Sequence, residues 1–439
     1  MKKFISTIRN IFSIEDLRER ILNTIGFLII FRLGSFIVLP GVDPSKLNDA
    51  PEGIFGLIDT FLGGAFSNAS IFGLGIMPYI SASIVLQLLT VGVPYFQKMQ
   101  KDGESGRKRI TQITRVLTIA ITVAQGIGYV TATILPTGAV MISTPLFMTS
   151  SLILLSAGTM FCMWLGEKIT EKGIGNGISM LIMIGIISRF PGAIIAEVLG
   201  KGTSGMLLLL IEAAVLFFVV VGTVALTEAV RKIPVQYAKQ VVGGKVYGGQ
   251  RQYIPIKVNA SGVMPIIFAQ SLMFVPALIA QIWAGESDIA NYIGTTFSDF
   301  TSWQYNLLFA VLIIIFTFFY TAITVNPEQI AEDMKRNGGF IPGIKPGAPT
   351  SEFIDGIISK ITLPGSILLS VVAILPAIAI IAGVGGEFAQ FYGGTSLLIM
   401  VGVIMDTLRQ IESYLLMRHY EGMMKSGNMK NNSSNYQVA

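Results

Sequence analysis

The chain is 439 residues long, 52% hydrophobic and only 13% charged, with a formal net charge of +5. Soluble domains place roughly a quarter of their residues in the charged class, so this composition excludes a water-soluble enzyme or binding module and makes lipid the main solvent. A single cysteine, Cys162, rules out an internal disulfide, and a single histidine, His419, lies in the polar tail, so no metal, cofactor or histidine-based catalysis is expected.

At the N-terminus, Lys2, Lys3, Arg9, Arg18 and Arg20 precede the first apolar run. No small-x-small cleavage site follows, so the segment reads as retained. Within Ser13 to Leu22, the apolar Ile14, Leu17, Ile21 and Leu22 fall at helical spacing opposite Glu15, Asp16, Arg18 and Glu19. Residues 1–20 therefore read either as a cytosolic amphipathic segment at the membrane interface or as a solvated helix start. A helix needs roughly 20 mostly apolar residues to cross the bilayer. Such stretches run from Ile21 to Leu39, Leu74 to Gly92, Thr114 to Ile134, Leu146 to Leu165, Gly177 to Ile195, Met206 to Leu226, Ala260 to Ile282, Asn306 to Val325, Ile361 to Ala382 and Thr395 to Ile411. The pattern predicts an all-α polytopic membrane protein with ten transmembrane helices and no soluble linker dividing it.

Between the first two spans, Phe55 to Gly73 is apolar but interrupted by Asp59, Gly63, Gly64, Ser67, Asn68 and Ser70. Each unsatisfied backbone group in lipid costs several kcal/mol, so such a segment must be buried in protein or line a cavity. A short re-entrant helix is one reading, an ordinary external loop the other. Two further connections are long for a helix bundle. Ala229 to Asn259 contains QVVGGKVYGG, two β-prone runs about Gly243 and Gly244 that suggest a hairpin. Asn326 to Lys360 carries NGGFIPGIKPG, rich in turn residues. Residues 413–439 form a polar tail.

An even number of spans puts both termini on one side. If that side is the cytosol, 27 of the 31 Lys and Arg residues fall on inner segments or the helix ends beside them. Lys46, Arg189 and Lys201 are then outside and Arg32 is inside the first span, so the positive-inside rule fixes this orientation. The same rule accounts for the basic excess without invoking a partner.

Five stretches, GIMPYISASIVLQLLT (Gly75 to Thr90), DGESGRKRITQITR (Asp102 to Arg115), GTMFCMWLGEKITEKGIGNGIS (Gly158 to Ser179), IPIKVNASGVMPIIFA (Ile254 to Ala269) and FYGGTSLLIMVGVIMD (Phe391 to Asp406), together resemble the SecY family of protein-conducting channels. They keep the family's order, and the resemblance extends from about Leu22 to about Tyr420, closest to the bacterial branch. It implies two pseudo-symmetric inverted halves of five helices around a central pore, here residues 21–205 and 206–412, followed by the 413–439 tail. It implies passage of unfolded preproteins across the bacterial plasma (inner) membrane, and lateral release of transmembrane segments into lipid. The partners it implies are SecE and SecG, the SecA motor ATPase, the ribosome and preprotein signal sequences.

By this resemblance, Phe55 to Gly73 is a plug containing Asp59, Gly63, Gly64, Ser67, Asn68 and Ser70, whose glycines would loosen it; simple helix packing explains the small residues equally well. The constriction falls on Ile76, Ile80, Ile178, Ile182, Ile267 and Ile399, an apolar neck that disfavours water and ions. Gln87 and Asn259 are lateral-gate candidates, with Asn176 a further one; each reads equally as a satisfied polar residue. Lys245, Arg251, Lys335, Arg336 and Lys345 are the loop cations placed to meet a ribosome or motor. The chain departs from the family at Gly244 and Lys245, where relatives often carry two arginines, and at Lys345, where arginine is usual. Lysine lacks arginine's bidentate fork.

Two other classes fit the sequence less well. A secondary transporter needs ionisable groups near mid-membrane; besides Arg32, only Glu212 and Asp406 qualify, and no partner for Glu212 is recognisable in the sequence. An intramembrane enzyme is not supported, because HExxH, GxSxG and GxxxxGK[ST] are all absent.

Overall fold

The computed structural model describes residues 12, 14–47, 54–202, 205–237, 240–242, 245–247, 251–270, 272–273, 292, 296 and 299–434. It divides into two compact units, residues 1–189 with 403–439, and residues 190–402.

In chain order the helices begin with α1 (Glu15–Gly34), α2 (Ile54–Leu62), α3 (Met77–Gly92), α4 (Pro94–Lys101), α5 (Gly103–Tyr129), α6 (Thr144–Lys172), α7 (Gly177–Lys201) and α8 (Met206–Glu228). Five short strands and five helices follow: β1 (Val230–Tyr237), β2 (Gln240–Val242), β3 (Lys245–Tyr247), β4 (Arg251–Lys257), α9 (Trp303–Thr324), α10 (Pro327–Arg336), β5 (Gly339–Phe340), α11 (Ala348–Ile381), α12 (Gly386–Ala389) and α13 (Gly394–Ser434).

Prolines mark several boundaries. Pro78, Pro94, Pro145 and Pro327 sit in first turns, where a missing N–H costs nothing and the fixed φ suits the helix. Ahead of Pro94 the chain leaves helical geometry at Val93, and α3 and α4 meet at a 102° bend. On α5, the buried Thr114, Thr118 and Thr122 each donate to the carbonyl four residues back, so a polar column closes on its own backbone while its methyl groups pack.

Among the described residues seven helices are long and apolar enough to cross a bilayer, or eight if the bent α3–α4 pair is one span. The first expected span, Ile21 to Leu39, is shorter than predicted. It belongs to α1, which contains the amphipathic run from Glu15 onward and stops at Gly34. The chain then turns and extends, so that Val38 pairs with Ser70. Of the expected span Ala260 to Ile282, residues 271 and 274–282 lie outside the described residues.

The two long loops of the sequence fold together. Strands β4, β1 and β5 form one antiparallel sheet in that order, so the second loop supplies an edge strand to the hairpin of the first. Ile233, Val235 and Ile256 of the sheet bury against Met334 of α10, Ile341, and Ile354 and Ile358 of α11. A separate pair, β2 with β3, lies at the hairpin's far end.

Candidate functional site

The unit formed by residues 1–189 and 403–439 is built around the re-entrant segment. Helix α2 lasts only nine residues, and turns carry the chain on to Met77. Leu62, Ala65, Phe66, Ala69 and Leu74 bury against Leu39, Tyr129, Val130, Ile134, Phe147 and Leu155. The backbone groups that lipid would leave unsatisfied find partners. Leu39 N–H donates to the Ala69 carbonyl (2.8 Å), Ile71 N–H to the Ile37 carbonyl (2.9 Å), and the Tyr129 hydroxyl to the Phe66 carbonyl (2.6 Å). This excludes the external-loop reading: the segment is buried in protein, as backbone satisfaction requires.

Its turn is held by charge. Asp59 is 1% exposed. One carboxylate oxygen accepts from the Ser67 N–H (2.9 Å), while the other is ion-paired with Arg189 of α7, which also donates to the Ser67 hydroxyl (3.0 Å). Arg32 of α1 donates to the Gly63 carbonyl and lies over the Phe36 ring, 4.7 Å from its centroid. Gly63 and Gly64 have φ of +62° and +90°, conformations that L side chains rarely adopt. A Cβ on Gly63 would come within 3 Å of Ser188, Arg32 and Gly185. The two glycines therefore permit a tight turn and close docking on α7. Asn68 is exposed, and the wholly buried Ser70 hydroxyl has no hydrogen-bond partner.

Three of the six isoleucines lie in one neighbourhood of this unit. Ile76 is buried with Phe31, Phe72, Cys162, Leu165, Ile169 and Leu181, and Ile80 and Ile178 pack against that cluster. Ile182, one turn further along α7, is half-buried. Ile267 and Ile399 belong to the unit of residues 190–402, half-buried and buried respectively.

Of the polar gate candidates, Gln87 is half-buried and donates to Ser83 on its own helix at 3.4 Å. Asn259 is buried and accepts from the Ser261 hydroxyl (3.2 Å). Asn176 is exposed and its side chain accepts from the N–H groups of Ile178 and Ser179, so it caps α7.

Among the loop cations, Lys335 and Lys345 are exposed, and Arg336 makes a loose surface pair with Glu332 (3.7 Å). Lys245 and Arg251 occupy β3 and β4, but their side chains and the Gly243–Gly244 tip lie outside the described residues.

Glu212 has the partner that the sequence did not disclose. Lys201, the last residue of α7, is paired with both Glu197 (2.6 Å) and Glu212 of α8, and all three side chains are largely buried. Both Glu197 oxygens also accept from the Gly385 N–H, at 3.2 and 3.0 Å, and a Cβ at residue 385 would collide with that carboxylate. Burial first, then the fields of Glu212 and Glu197, pushes the Tyr392 hydroxyl pKa up. Lys201, which the sequence reading places on the outer side, is the centre of an ion triad. Arg32 and Arg189 were missed in the same way. The usable signal was their exceptional place: cations off the cytosolic side need buried acids or carbonyls to hold them.

The SecY family model matches residues 70–408. The protein translocase subunit SecY of Streptomyces coelicolor is 42% identical over 434 residues, covering 94% of this chain and 98% of its own. That of Mycobacterium bovis is 41% identical over 449 residues, covering 97% and 100%. The fold is similar to a solved protein-conducting channel (TM-score 0.63, 17% identity, 90% of this chain and 92% of that one). It is also similar to Sec61 in a canine ribosome–channel complex (TM-score 0.58, 17% identity, the same coverage). A SecY structure described by its channel-sealing plug domain matches with a TM-score of 0.61 at 19% identity. With its helices long and apolar enough to cross a membrane many times, the chain belongs to the SecY family, multi-pass membrane proteins that serve as the protein-conducting channel of a translocase and not as enzymes.

Proposed function

We propose that this chain is the central subunit of a Sec translocon in a bacterial plasma membrane, with both termini in the cytosol. Residues 55–73 act as the plug of its channel. Ile76, Ile80, Ile178, Ile182, Ile267 and Ile399 line the constriction, and Gln87 and Asn259 flank the lateral exit taken by apolar segments. SecE and SecG are its membrane partners, and SecA and the ribosome dock on the module built from the two long loops. The observation that carries this reading is the enclosure of residues 59–73: a segment whose helix lasts only nine residues, and which polar residues interrupt, is nonetheless buried among spanning helices. A ribosome is present in the solved complex of a channel with the same fold, which supports the docking role.

The test is deletion of residues 59–70 in proteoliposomes carrying the chain and its small partners. Protease protection of a preprotein supplied with SecA and ATP is expected to persist, while the resting ion leak rises. Loss of protection by a folded variant would make the segment structural and refute the plug.

A further inference from the structure

We propose that Arg189, together with Arg32, is the latch that positions the re-entrant segment, and that the Asp59–Arg189 ion pair sets how strong a signal must be to displace it. This rests on reading residues 55–73 as the plug. The apolar contacts of Leu62, Ala65 and Phe66 are numerous but non-directional, and they do not single out one docked position. The charged contacts do. Asp59 is enclosed, with one oxygen on the Ser67 amide and the other on Arg189. Arg189 simultaneously reaches the Ser67 hydroxyl, so one guanidinium grips both ends of the 59–67 turn. Arg32 reaches the Gly63 carbonyl from another helix.

The two arginines thus bracket the turn from α1 and α7. Withdrawal of the segment must separate a buried carboxylate from its cation, and truncating either partner of such a pair leaves the other uncompensated. The Arg189 side chain is 30% exposed, which gives water and an arriving chain access to one side of the pair. The ion pair is therefore one directional part of the cost of opening, beside the Arg32 contact and the apolar packing. Any ligand of the open state shifts the population only by its differential affinity, so weakening the pair lowers the affinity that a signal must supply.

The test uses the full chain with its small partners in proteoliposomes, comparing Asp59→Asn, Arg189→Gln and the double variant with the parent and with the 59–70 deletion. Three quantities are read: ion leak, passage of a preprotein with a shortened apolar signal, and labelling of Ala65→Cys by a membrane-impermeant maleimide. Ala65 is wholly buried in the docked segment, and the native Cys162 is buried as well. Each single substitution is expected to raise labelling and leak on the order of tenfold, with the double variant no higher than either. Passage of the weak signal should rise, whereas a mere folding defect would lower it. If the deletion leaks but Asp59→Asn and Arg189→Gln label and leak like the parent, the plug stands and the latch is overturned. If the deletion does not leak, the plug reading fails and takes the latch with it.

Discussion

Lys201 shows how far one side chain decides a local structure in this chain. It neutralises one of two buried carboxylates, and Glu197 gains a further donor from the Gly385 amide, whereas one oxygen of Glu212 has no donor at all. Lys201→Met would leave two acids facing each other with no cation between them. Breaking a buried pair from one side costs about 3–5 kcal/mol, so a marked drop in the thermal midpoint is expected. Lys201→Met combined with Glu212→Leu should recover most of the loss, because replacing a whole buried pair with apolar groups is often neutral. Thermal unfolding of the purified variants, followed by circular dichroism, checks both; a double variant no more stable than the single would assign the effect to lost packing. None of these pairings was legible in the sequence. Lys201 and Glu212 are eleven positions apart across a helix boundary, and Asp59 and Arg189 are 130 apart. Only the fold brings them within reach.

At the scale of elements, the apolar runs predicted helices well because length and hydropathy act locally, and prolines placed several of their ends. The first span ends early for a physical reason: residues 37–39 are apolar enough to continue α1, but Ile37 and Leu39 form backbone hydrogen bonds with Ile71 and Ala69 instead. The hairpin was foreseen from its paired β-prone runs. That hairpin is β2 with β3; the separate β4–β1–β5 sheet was not foreseen, and its edge strand β5 is two residues long with no pattern of its own. The consequence is that both long loops form one module with a shared core, and the exposed Lys345 is carried on it. Replacing Lys345 and Lys245 with glutamate is expected to weaken SecA binding several-fold, more so at low salt, since surface charges act over a Debye length of about 10 Å. Membrane insertion and thermal stability should be unchanged, as Lys345 is exposed and does not belong to that core. An unaltered SecA affinity, measured at two ionic strengths, would remove these loop cations from the docking surface.

At the scale of the whole molecule, composition and the one-sided distribution of Lys and Arg were sufficient for the membrane class and the expected orientation, because both are averages over the chain and survive errors at individual residues. The constriction was legible only through resemblance, since an isoleucine facing a pore and one facing lipid are the same letter. The described structure gives four of the six to one compact unit and two to the other. Ile76 is 4% and Ile399 3% exposed, so these two do not face lipid. If the six together form an apolar neck, removing apolar surface there eases wetting. Ile80→Ser and Ile399→Ser should then raise single-channel leak, and the destabilised closed state should need less differential binding from a signal to open, so that defective signals pass. Residues that merely pack within their own units give the opposite pattern. A buried isoleucine replaced by a smaller polar residue loses a few kcal/mol of packing, which lowers yield without raising conductance. Single-channel recording of the two variants, paired with secretion of a signal-defective preprotein, distinguishes these outcomes: normal leak and normal discrimination in well-folded protein would place the isoleucines outside the conducting path.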